Sequence, residues 1–195
     1  MVHQEIYYPN YYGDFKQIVY APRYYVDTAT FHQTGLKHPY SMKLYFSKMG
    51  ENQTVFFLPY VLDLIYHLKR DKLISNINFV GMVPGHKPNT ISATVKGIAL
   101  RLVDEFHCKL FGGINRNRIV SKSSDLANSE ERHINVMGSI DIDSSIDLNN
   151  KNFLLLDDIK TTGFNIMEVV TLLKSRGCNY VFCIVLGING EGDVT

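Results

Sequence analysis

The chain of 195 residues has no G-x-x-x-x-G-K-[ST] loop, no C-x-x-C pair, no apolar run near the ~20 residues a membrane helix needs, and no surplus of either charge. Each absence removes a class of function. Without the phosphate loop a P-loop nucleotidase is excluded, and Gly187, Gly190 and Gly192 lack the spacing of a dinucleotide fingerprint. Twenty Lys and Arg against nineteen Asp and Glu leave a net charge of +1, so the chain has no basic field for direct nucleic-acid binding. Cys108, Cys178 and Cys183 are odd in number and form no metal-ligand pair. They read as buried thiols of a reducing compartment, and with no signal peptide visible a cytoplasmic location and no membrane association are expected. The sequon Asn52-Gln53-Thr54 is then accidental.

What is present suits one domain with a substantial core, since 45% of the residues are hydrophobic. Residues 1–50 differ in composition. Tyr7, Tyr8, Tyr11, Tyr12, Tyr20, Tyr24, Tyr25, Tyr40 and Tyr45 are interleaved with Gly, Pro, Asn and Asp, which predicts short strands and hairpins in a small N-terminal lobe. Those rings either hood a ligand or simply fill the lobe's own core. From about Pro59 onward, residues 51–195 read as α/β. Val61, Leu62, Leu64, Ile65 and Leu68 have helical spacing, Ile77 to Val83 reads as a strand, and Thr90 or Ser92 caps a helix carrying Val95, Ile98, Ala99, Leu102 and Phe106. A short apolar stretch at Cys108 to Phe111 precedes a polar stretch, Gly112 to Glu131. A strand is predicted near Val136 to Ile142, and another at Tyr180 to Leu186. Strands alternating with helices predict a doubly wound, mainly parallel sheet.

The most informative segment is Phe153-Leu154-Leu155-Leu156-Asp157-Asp158-Ile159-Lys160-Thr161-Thr162-Gly163-Phe164-Asn165. Four apolar residues predict a central parallel strand. The pattern Ile166, Val169, Val170 and Leu173, closed by Lys174, Arg176 and Gly177, predicts the helix behind it. The acid pair therefore stands at the carboxyl end of a strand, where open α/β sheets bind ligands. Adjacent carboxylates accept charge-assisted hydrogen bonds from vicinal hydroxyls. Lys160, Thr161, Thr162 and Gly163 offer main-chain N–H groups, hydroxyls and a helix N-terminus to a phosphate. An ordinary exposed helix start, with Thr161 or Thr162 as its cap, uses the same residues.

This segment resembles the phosphoribosyl-pyrophosphate (PRPP) signature of type I phosphoribosyltransferases: apolar strand, Asp-Asp, two residues, Thr-Thr-Gly. The resemblance covers about residues 55–187. Val83-Pro84-Gly85-His86-Lys87 ends the earlier strand, and its Val-Pro-x-His element is similar to the ComF-like and amidophosphoribosyltransferase-like branch. It implies that Pro84, Gly85, His86 and Lys87 meet the pyrophosphate, although an ordinary solvated turn has the same composition. Arg132-His133-Ile134-Asn135-Val136 resembles the Arg-x-x-Asn-Val that follows the flexible loop of that branch, and Arg116 lies near another family arginine. With Arg118 and Lys122 they make the polar stretch a candidate closing loop, in which Arg116, Arg132 and Lys87 are the expected catalytic cations.

Three departures stand out. The cysteine-rich zinc-binding start is missing, Lys87-Pro88-Asn89-Thr90 replaces an Arg-Gly-Phe-Asn run, and Phe164-Asn165 replaces a small residue and Thr. The resemblance implies an Mg²⁺-dependent transfer of ribose 5-phosphate from PRPP to a nitrogen nucleophile, a base-like acceptor. Asp157 and Asp158 would hold the ribose hydroxyls, and Mg²⁺ would sit mainly on donor oxygens without a protein cage. A homodimer is implied as well. The same fold also serves non-catalytic PRPP or nucleotide sensing, or a place within a larger assembly.

Overall fold

A computed structural model describes residues 2–8, 15–25, 39–121 and 126–189. In chain order they form β1 (Val2–Tyr8), β2 (Phe15–Ala21), β3 (Arg23–Tyr25), α1 (Pro39–Lys48), α2 (Thr54–Arg70), β4 (Phe79–Met82), α3 (Ala93–Phe106), β5 (Lys109–Phe111), β6 (Ile114–Arg116), α4 (Ser129–Val136), β7 (Ile140–Ile142), β8 (Asn152–Lys160), α5 (Phe164–Ser175) and β9 (Tyr180–Asn189). The main sheet runs β1-β2-β9-β8-β4-β5, with β3 also on β9. The pairings β2 with β9, β9 with β8, β8 with β4 and β4 with β5 are all parallel, and only β1 is antiparallel to its neighbour. The expected α/β class holds.

Alternation along the central strands explains the layers. Phe153 and Leu155 face one side with Ile166, Val169, Val170 and Leu173 of α5. Leu154 and Leu156 face the other with Leu44 of α1, Val61, Leu64, Ile65 and Leu68 of α2, and Val95, Ile98, Ala99 and Leu102 of α3. Helices thus cover both faces, and β8, buried on both, requires the unbroken apolar run found in its sequence. Phe153 stacks on Phe79 at 5.5 Å and meets Phe111 edge-on at 5.1 Å. Gly81 makes room for that ring, because a Cβ there would lie 2.7 Å from Phe153 Cε1.

Ser92, not Thr90, caps α3, its Oγ accepting from Val95 N at 3.4 Å, and left-handed His107 (φ 49°) ends it. Pro59 falls inside α2, which begins at Thr54, five residues earlier than the apolar spacing alone indicates. The described residues of the N-terminal segment extend the main sheet. Val19 and Tyr20 pair with Cys183 and Ile184, and Arg23 to Tyr25 pair with Gly187 to Asn189, the interruption falling at Pro22, which has no N–H to donate. Tyr40 of α1 donates its hydroxyl to Leu186 O at 2.6 Å and lies in the main core. Tyr11 and Tyr12 are outside the described residues. No helix among the described residues is long and apolar enough to cross a membrane.

Candidate functional site

Strand β8 is longer than its neighbour β4. The ladder between them closes at Leu156 opposite Met82, with Val83 N donating to Leu156 O at 2.9 Å. Beyond that point, among the described residues, β8 pairs only with β9, through Asp157 opposite Val185, Ile159 opposite Gly187 and Lys160 opposite Ile188. The acid pair stands on this overhang. Side-chain alternation also changes there, since Leu156 and Ile159 lie in the same core cluster with both acids between them. Each carboxylate accepts from the next amide: Asp158 N donates to Asp157 Oδ1 at 2.8 Å, and Ile159 N to Asp158 Oδ1 at 2.6 Å. Burial, reinforced by the charge of Asp158, holds the Asp157 carboxyl well above the usual carboxylate range, against the opposing pull of the Asp158 N–H, Lys48 and Arg116. Neighbouring Cys183 is a thiol for the same reason, burial and then the Asp157 charge raising it.

The turn that follows is built to leave a helix N-terminus open. Gly163 is the cap residue of α5 at φ +85°, a left-handed conformation that costs other residues about 1–2 kcal/mol. No side chain caps this helix, so neither Thr161 nor Thr162 has the capping role an ordinary helix start would give it. Arg132, Asp157 and Lys160 through Ile166 line one cleft. Lys160 is only 8% exposed, donates from Nζ to Thr161 O at 3.2 Å, and has its pKa lowered by burial. Cleft, positive helix end and cation together favour an anion.

The second turn, after β4, has its acceptors already committed. Arg116 donates from Nη2 to Pro84 O at 3.4 Å and from Nε to Gly85 O at 2.5 Å. Val120 N donates to His86 O at 2.9 Å, while Thr90 donates to Lys87 O from its hydroxyl at 2.6 Å and its N–H at 3.3 Å. Four successive carbonyls are therefore satisfied from within. What the turn presents beyond them is the half-exposed His86 imidazole and the exposed Lys87 ammonium. The Gly85 N–H is likewise committed, donating to Thr90 O at 2.8 Å, so what the turn offers an anion is side-chain charge, that of exposed Lys87.

Two expectations for the polar stretch are corrected. Arg116 is not on a loop: it lies in β6, paired with Ile140 of β7, and is 3% exposed. Its guanidinium also reaches Ser139 Oγ and Asn165 Oδ1, at 2.5 and 2.8 Å, and so cannot swing over a ligand without breaking this set. Arg132 is likewise held on a helix, α4, where it lines the cleft and donates from Nη2 to Leu126 O at 3.3 Å; its buried Nε has no hydrogen-bond partner among the described residues. Arg118 donates to Met137 O at 3.1 Å, and Lys122 lies outside the described residues. The strand expected over Val136 to Ile142 is half right, β7 being only Ile140–Ile142. Asn135 clamps Ser121, accepting from its N–H at 3.1 Å and donating to its O at 2.9 Å, and His133 stacks on Phe164 at 5.1 Å.

Sequence reasoning missed two groups. Glu168 of α5, 4% exposed, accepts from Gly138 N at 2.8 Å and fixes the turn before β7. Lys48, the last residue of α1, is close enough for its charge to act on Asp157, although 109 residues separate them in sequence. Neither has a local signal, because both contacts cross between elements distant in the chain.

No family model matches the chain, and no curated protein matches it. Among solved structures it is similar to a hypoxanthine phosphoribosyltransferase from Staphylococcus aureus, with 19% identity and a TM-score of 0.41, over 68% of this chain. The chain spans 65% of the length of that protein. Likeness at this level assigns neither family nor substrate, and nothing in it supports the ComF-like branch.

Proposed function

We propose that this chain is a phosphoribosyltransferase of the type I kind, moving ribose 5-phosphate from PRPP to a nitrogen nucleophile. The nucleophile's lone pair forms the new bond to ribose C1 as the C1–O bond breaks, and pyrophosphate leaves with that electron pair. One observation carries the reading: an overhanging Asp157-Asp158 pair, an uncapped helix N-terminus behind Thr161-Thr162-Gly163, and a turn whose four carbonyls from Pro84 to Lys87 are all turned to internal donors occupy adjacent strand ends. A ligand with vicinal hydroxyls between two phosphate ends matches them in that order.

In this reading Asp157 and Asp158 hold the ribose hydroxyls. Lys160, Thr161, Thr162 and Gly163 hold the 5-phosphate, and Pro84, Gly85, His86 and Lys87 face the pyrophosphate. Arg132 supplies a fixed positive charge at the cleft. Catalysis rests on positioning and on charge placed where the leaving group develops it. No cluster of three metal-ligating side chains occurs among the described residues. Asp157 and Asp158 are hard oxygen donors of the kind Mg²⁺ takes, and they would hold it together with donor oxygens and water. When bound with the donor it would neutralise charge on the leaving pyrophosphate.

A second reading, a non-catalytic sensor of PRPP or a nucleotide, is favoured by the fixed place of Arg116, which removes one of the cations expected to close over the donor. Incubation with PRPP, Mg²⁺ and a panel of nucleobases separates the two. The transferase reading expects one base to raise pyrophosphate release above the no-base control; binding of PRPP with no base-dependent release supports the sensor.

A further inference from the structure

From one guanidinium, Arg116 touches both turns that the proposed function uses. Nε and Nη2 hold the carbonyls of Gly85 and Pro84 at 2.5 and 3.4 Å, and Nη2 also donates to Asn165 Oδ1 at 2.8 Å. Nη1 donates to Ser139 Oγ at 2.5 Å, anchoring the group from behind. Asn165 is the second residue of α5, directly after the Gly163 turn. The β4–β8 ladder fixes the two strand ends only as far as Leu156 and Val83. Beyond it the turns are free to differ in separation except where something spans them, and the Arg116 side chain does. A guanidinium is planar, with five donors at fixed angles, so it sets the relative placement of its acceptors in a way an ammonium cannot.

We propose that Arg116 is a positioning residue that sets the distance between the two anion-binding turns, so that a ligand phosphorylated at both ends binds better than its halves do separately. It touches no ligand in this arrangement. The departure at Asn165, where the resembled signature has Thr, then has a reason: the amide oxygen is the acceptor that brings α5 into the set. The proposal rests on the reading that both turns bind phosphate groups. Linking two sub-sites pays off only when their geometry matches the linker, and a pre-set spacing removes the cost of ordering them.

The test is calorimetry with three ligands, each with Mg²⁺: PRPP, ribose 5-phosphate and inorganic pyrophosphate. Wild type is compared with Asn165→Ala and Arg116→Lys. Asn165→Ala removes one of the four bonds at a half-buried position and keeps the buried guanidinium, so the outcome does not hang on whether Arg116→Lys folds. Expected is a loss of about tenfold or more in PRPP affinity, with each half-ligand within about threefold of wild type, the size of effect one charge-assisted bond produces. Unchanged PRPP affinity in folded Asn165→Ala overturns the proposal. So does an equal loss for a half-ligand, which would mark damage to one turn and not to their spacing. Wild type that fails to bind PRPP overturns the functional reading and this proposal with it, whereas wild-type binding with unaltered variants overturns this proposal alone.

Discussion

Arg116 Nη2 donates to Asn165 Oδ1 at 2.8 Å, joining β6 to the first turn of α5 across 49 residues of sequence. The same side chain satisfies two carbonyls of the turn after β4 and the Ser139 hydroxyl. Among the described residues no carboxylate is hydrogen-bonded to it; burial and then the charge of Arg118 pull its pKa down, against the charges of Asp157 and Glu168. Its stability is thus that of a cation solvated by protein dipoles, which is costly to assemble and more costly to disrupt.

Replacing Arg116 with Met is accordingly expected to destabilise the fold by about 1–3 kcal/mol, the cost of leaving buried acceptors without their donor. Urea unfolding measures it. A midpoint equal to wild type would mean that water replaces the lost donors, and the side chain would not be the brace described.

Hydrogen exchange tests the corrected polar stretch. Val120 N–H donates to His86 O at 2.9 Å and Val120 is 4% exposed, while Asn117 N–H donates to Ser139 O at 3.0 Å. Both amides are expected to exchange slowly in the ligand-free protein. Exchange at the rate of an open chain would restore the closing-loop expectation for this part of the sequence.

Arg116 and α4 mark where sequence reading reached its limit. Leu154 to Leu156 indicate a central strand because a strand buried on both faces uses such a run, and a hydroxyl at Thr90 or Ser92 marks a helix start, which the structure places at Ser92; both signals are local. Asp157, Asp158 and Gly163 were legible for the same reason, as consecutive residues of one strand and one turn. Arg116 sits on a three-residue strand paired, among the described residues, with another three-residue strand, too short for a period to show, and its acceptors come from Pro84, Gly85, Ser139 and Asn165. In a polar stretch, buried arginine and solvated arginine look alike. Helix α4 was read partly as loop because SEERHINV has little apolar character of its own and is held by contacts such as His133 on Phe164. The placement of β2 and β3 on β9 is equally non-local.

The raised pKa of Asp157 gives a signed dependence on pH. Its folded value lies above its unfolded one, so its contribution favours the fold below the unfolded value, about 4, and is lost as pH rises through the folded value. Asp157→Asn removes this penalty. The variant is expected to melt above wild type at pH 8, with the difference vanishing near pH 4. Thermal melts across that interval check it, and a variant less stable than wild type at pH 8 contradicts the assigned cause.

The central claim, that the overhanging acid pair receives the sugar of PRPP, is tested most directly by titrating PRPP with Mg²⁺ into wild type and into the Asp157→Asn, Asp158→Asn double variant by calorimetry. Each hydrogen bond to a charged group contributes about 1.5–3 kcal/mol, so wild type should bind and the folded double variant should bind about 100-fold more weakly or worse. Equal affinity in the two proteins, or no binding by wild type, would contradict it.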